Sequence, residues 1–180
     1  MPKLQLKDAL FLGFCAVFIV AAKLMFRWHL NISGHSMFFT MFFLILARAS
    51  VQYRLAASFT GLLAGLVSIM LGMGKGGPLL LLKFLLPALV TDMAFLLTPM
   101  IPYSLWMCIL TGGLASASKF ISTIVVDWAV GMDPDVLINH AILKSAGAVL
   151  FGSLGGLLVP PVARKLRAHG IIHDQRTSTR

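Results

Sequence analysis

Six long apolar runs take up most of this chain, and none alternates polar with apolar residues. A helix needs about 20 apolar residues to cross a bilayer, fewer where flanking lysines reach for the headgroups. The runs fall at about 8–25, 36–49, 55–71, 79–97, 103–126 and 136–159. Hydrophobic residues make up 58% of the 180 residues and charged residues 12%, more apolar surface than a soluble domain of this size can hide. In lipid only helices and closed barrels satisfy their own backbone, and a barrel needs short alternating strands. The sequence predicts an all-α polytopic membrane protein: a bundle of six transmembrane helices over 1–163 and a basic tail over 164–180.

The connections carry the expected breakers. Gly72, Gly74, Gly76, Gly77 and Pro78 separate runs three and four, and Pro99 and Pro102 break runs four and five. Asp133-Pro134-Asp135 opens run six, and Pro160-Pro161 is expected to stop it. Cations outside the runs or at their ends set the orientation. With the amino terminus in the cytoplasm, that side holds Lys3, Lys7, Arg48, Arg54 and the tail residues Arg164, Lys165, Arg167, Arg176 and Arg180. The other side holds Arg27 and Lys75 with Asp127, Asp133 and Asp135. Both termini are therefore expected to be cytoplasmic, in a plasma (bacterial inner) membrane. The first run has no convincing cleavage site after it and reads as a retained helix. The tail suits an anionic leaflet, and its lack of aromatics argues against nucleic acid.

Lys83, Lys119 and Lys144 each interrupt one of the last three apolar runs. A cation in hydrocarbon costs roughly 3 kcal/mol even on lenient insertion scales, so such residues face a cavity or a partner, or else snorkel to an interface. By topology all three lie toward the outer surface, and His140 shares a helix face with Lys144 one turn away. With His35 and Lys75, and Arg27 and His29 nearby, they are expected to line an outward-facing pocket for an anionic or acceptor-rich small molecule. Asp92 sits near the middle of run four and is expected either to touch the ligand or to form a structural pair, with Lys119 a plausible partner.

Cys15 and Cys108 have no neighbours at metal-ligand spacing, and two loop imidazoles make a poor metal site, so neither metal nor cofactor is expected. Small residues mark close helix contacts: Gly61, Ala64, Gly65 and Ser68 in run three, and Ser145, Gly147, Gly152, Gly155 and Gly156 in run six. Ala9, Gly13 and Ala21 form a stripe on the first run that fits internal packing or an external partner.

The layout, together with Ser33-Gly34-His35-Ser36, Leu55-Ala56-Ala57, Gly61-Leu62-Leu63-Ala64-Gly65, Gly72-Met73-Gly74-Lys75-Gly76-Gly77 and Thr91-Asp92-Met93, resembles a substrate-binding S component of an energy-coupling factor transporter. The membrane subunit of cobalt and nickel importers has a comparable middle section. The resemblance implies ligand capture at the outer ends of helices four to six, where Lys83, Lys119, His140 and Lys144 lie. It also implies a transmembrane coupling subunit with two cytoplasmic ATPases, contacted through Ala9 and Gly13. The sequence has no phosphate-binding Gly-x-x-x-x-Gly-Lys-Ser/Thr loop, so ATP hydrolysis would lie on another subunit. Metal-importing relatives carry a histidine after the initiator methionine; this chain begins Met1-Pro2-Lys3, which counts against cobalt or nickel.

The expected function is high-affinity capture of a small molecule, a vitamin or its precursor, without chemistry. One alternative is an intramembrane enzyme acting on lipid phosphates, for which Asp133 and Asp135 are the only close acidic pair. Another is an accessory subunit of a larger membrane complex, its lysines neutralising lipid headgroups.

Overall fold

Each apolar run becomes a helix. The computed structural model describes residues 5–27, 35–51, 53–73, 77–98, 101 and 104–168. They form α1 (Leu6–Arg27), α2 (Ser36–Ser50), α3 (Ala56–Met70), α4 (Leu80–Leu97), α5 (Leu105–Ala129) and α6 (Pro134–Ala168), with a 3₁₀ turn at Gly77–Leu79 leading into α4. Four helical segments, those containing α1, α4, α5 and α6, are long and apolar enough to cross a membrane; α2 and α3 are shorter apolar helices. The exterior is apolar, with Phe14, Leu110, Leu143 and Leu150 more than half exposed, as lipid requires.

Glycine stripes set the helix spacing. A Cβ on Gly61 would stand 2.6 Å from the Ala88 side chain and 2.9 Å from the Phe84 carbonyl, so α3 and α4 touch almost backbone to backbone. On α6, Gly152 meets Gly112 and Ser116 of α5, Gly156 meets Cys108 of α5, and Gly155 meets Phe38 of α2. Gly61 and Gly65 on α3 and Gly152, Gly155 and Gly156 on α6 thus serve the internal packing expected of them. Buried threonines satisfy themselves: Thr40, Thr60, Thr91 and Thr111 each donate to the carbonyl four residues back.

Two expectations about α6 and the tail change. Pro160-Pro161 does not stop the helix, which runs on to Ala168 across the expected boundary at 163/164. Interior proline removes a hydrogen bond and costs about 3 kcal/mol or more. Here Val159 and Ala163 are fully buried in a cluster with Ile45, Leu46, Phe95 and Cys108, and that packing carries the helix through. Residues 169–180 lie outside the described residues.

The end at which α1 stops, α4 begins, and α5 passes into α6 is uneven. Gly155 meets α2 close to the start of α2, whereas α6 begins 21 residues earlier, at Pro134. At 1.5 Å per residue, α6 extends past the start of α2 by roughly 25 Å. The short α2 does not accompany α6 along that stretch.

Candidate functional site

Four lysines set within the apolar helices lie toward that end. Lys83 lies one turn into α4, Lys119 in the second half of α5, and Lys144 about three turns into α6; all are half-buried. They are joined by Lys23, in the last turns of α1, whose Nζ sits 3.9 Å from the centre of the Phe84 ring. Lys23 feels the charges of Lys83 and Lys119, and Lys119 those of Lys83 and Lys144. Four helices thus each bring one lysine to the same end of the bundle.

One carboxylate answers them. Asp127 Oδ1 is 3.5 Å from Lys83 Nζ, and its Oδ2 is 3.1 Å from His140 Nδ1, so one side chain ties α4 and α6 to α5. Asp127 belongs to the last turns of α5, not to a loop, because α5 continues to Ala129. The turn beyond it is a Schellman closure: the Met132 N–H donates to the Asp127 carbonyl at 3.1 Å and the Gly131 N–H to the Trp128 carbonyl at 3.0 Å. Gly131 takes φ 84°, a left-handed conformation that favours glycine. That turn aims α6 back along α5 and brings His140 level with Asp127.

Among the described residues, neither Lys119 nor Lys144 makes an ion pair, although Lys144 feels the attraction of Asp127. Lys119 is the deepest of the set, eight residues or about 12 Å before Asp127 along α5. Pro87 also leaves the Lys83 carbonyl without its usual donor four residues on, adding a backbone acceptor to α4 near the site.

The expected site residues divide as follows. Lys83, Lys119, Lys144 and His140 come together. His35 stands at the start of α2, where its carbonyl accepts from the Phe38 N–H at 3.2 Å. Lys75 and His29 lie outside the described residues. Asp92 lies nine residues, about 14 Å, further along α4 from Lys83, toward the opposite end of the bundle. Its cation is Arg48, with Nε 3.2 Å from Oδ1, rather than Lys119. Its oxygens also accept from the Ala57 N–H (3.2 Å), the Ser58 N–H (2.7 Å) and the Ser58 hydroxyl (2.6 Å). Leu55 cannot cap α3, so α4 supplies the carboxylate that does.

Lys23 and Asp127 are absent from the sequence-based set. Lys23 carries the same signal as the other lysines, a cation inside an apolar run. Asp127 is hidden because the run preceding it ends one residue earlier, which makes it look like a loop acid.

No group of three metal-ligating side chains occurs among the described residues. A groove of about 650 Å³ between α5 and α6, lined by residues such as Ala117, Phe120, Ile142 and Ala146, opens outward and is almost wholly apolar. The Ser145 hydroxyl within it donates to the Ile142 carbonyl at 3.0 Å, leaving little there to hold an anion.

No protein-family model and no curated protein matches the chain. A solved structure is similar to it over nearly its whole length: a crystal structure of an S-component of an ECF transporter, at TM-score 0.67 and 21% sequence identity, covering 94% of this chain and 88% of that one. The resemblance expected from helix layout and glycine rhythm thus reappears in three dimensions, and this membrane chain has the S-component fold.

Proposed function

We propose that the chain is the substrate-capture subunit of an uptake transporter in a bacterial inner membrane, binding a vitamin-sized anionic or acceptor-rich molecule from outside. The observation that carries this reading is the convergence of Lys23, Lys83, Lys119 and Lys144 from four helices at one end of an S-component fold. Ammonium groups with so little countercharge suit a guest that brings its own acceptors. Lys119→Met and Lys144→Met should each weaken ligand binding about 100-fold or more, the loss of two to three charge-assisted contacts, while leaving the bundle folded in detergent. Native mass spectrometry of the purified protein, with and without each substitution, checks this through the small molecule that co-purifies. Unchanged occupancy in both variants would remove the lysines from the site.

The S-component reading brings a coupling subunit and ATPases as partners. The stripe at Ala9 and Gly13 on α1 is the surface for them. A Cβ at Gly13 would meet nothing within 4 Å, and Leu10, Phe14 and Val17 beside it are exposed. Gly13→Phe should therefore leave the isolated chain as stable as before and reduce co-purification of the coupling module at least several-fold. Full assembly with the variant would move the contact elsewhere.

A further inference from the structure

The cation cluster is unevenly compensated. Lys23 rests over the Phe84 ring, and Lys83 has Asp127. Both Asp127 oxygens are engaged, one by Lys83 and the other by His140. Lys119 and Lys144 are left as two half-buried ammonium groups that repel each other. They lie on adjacent antiparallel helices: Ser116 of α5 meets Gly152 of α6, and Asp127 meets His140. By that register Lys119 and Lys144 are within about one helical turn of the same depth. Three N–H donors on each can converge on a group between them.

We infer that the site takes a small molecule bearing two negative charges close together, a phosphate monoester or a pair of neighbouring carboxylates, bridged by Lys119 and Lys144. This rests on the capture reading above and narrows it. A monoanion between two ammonium groups leaves one positive charge without a partner in a half-buried space, whereas a dianion matches both. Reduced access to water strengthens each contact and so sharpens discrimination by charge number. A phospholipid diester carries a single charge on its phosphate and is a poor match. Asp127 has the opposite effect: it occupies Lys83 and lowers the positive field that an entering anion meets.

The test uses the full-length protein in nanodiscs of phosphatidylcholine, at constant ionic strength and neutral pH, where phosphate monoesters and phthalate are already dianions. Four probes of similar skeleton are titrated: phenyl phosphate, phthalate, benzoate and benzyl alcohol. Thermal midpoint and tryptophan fluorescence are recorded. Phenyl phosphate or phthalate should act at concentrations roughly tenfold or more below benzoate, with benzyl alcohol inert; whichever of the two acts identifies the phosphate or the dicarboxylate form. Lys119→Gln and Lys144→Gln should erase that preference, Lys119→Arg should retain most of it, and exposed Arg54→Ala at the opposite end should leave it unchanged. Asp127→Asn should increase the response to the dianion, a gain that a damaged fold cannot mimic.

Equal responses to benzoate and phthalate, or a dianion response that survives in both glutamine variants, would overturn the inference. So would loss of the response when phosphatidylglycerol replaces part of the phosphatidylcholine, because a lipid headgroup would then hold the site. A neutral or singly charged molecule that co-purifies in a Lys119-dependent manner would overturn the dianion and leave substrate capture standing. No co-purifying molecule and no response to any probe would end both.

Discussion

Asp92→Ala should destabilise the chain by about 3–5 kcal/mol, the cost of leaving a buried charge without its partner. Asp92 is 1% exposed and Arg48 8%. Arg48 has few other neighbours: Nη1 reaches the Val51 carbonyl at 3.3 Å, and the guanidinium lies 5.4 Å from the Phe95 ring centre. Its Nε is in ion-pair range of Asp92 but lacks the alignment of a hydrogen bond, so charge rather than directionality holds the pair. The same substitution strips the start of α3 of its acceptor for the Ala57 and Ser58 amides. Asp92 and Arg48 also lie at the ends of α3 and α2 whose dipoles favour their charges. Thermal and denaturant unfolding in detergent measure the loss. Arg48→Met with Asp92→Asn should cost less than the two single changes together, because the second change removes a charge that the first has already orphaned. A loss under about 1 kcal/mol for Asp92→Ala would show the pair to be incidental.

Gly152→Val should be among the most damaging glycine substitutions in the bundle. A Cβ there would coincide with the Ser116 hydroxyl and stand 2.8 Å from Ser116 Cβ and 2.9 Å from the Gly112 carbonyl. Backbone cannot yield as a flexible side chain does, so α6 must move off α5 at a cost of roughly 1–3 kcal/mol or more. The same displacement spreads Lys119 from Lys144, so binding should fall together with stability. Ser116→Gly combined with Gly152→Ala should recover most of both, because it returns the volume the new methyl takes. Calorimetry and the probe titration on the same samples separate the two effects. A Gly152→Val protein with wild-type unfolding would mean that the α5–α6 contact is looser than the close approach described above.

The number of helices, their places in the chain and the breaks between them were legible in the sequence because each is a local matter. A run of apolar residues in lipid has one way to satisfy its backbone, and glycine or proline marks where it stops. The gathering of Lys83, Lys119, Lys144 and His140 at one end was legible for the same reason, since helix direction alone determines depth. Partnership was not. Asp92 takes Arg48 because α2, α3 and α4 pack together, and nothing near it in the chain indicates that choice. Asp127 joins the cluster because α5 runs three residues past its expected end, and Lys23 because its long side chain reaches from α1 to the Phe84 ring of α4. Pro160-Pro161 shows the converse, with tertiary burial overriding a local stop signal. Helix formation closes its hydrogen bonds within a few residues, whereas a charge is satisfied only by groups that the packed bundle brings to it.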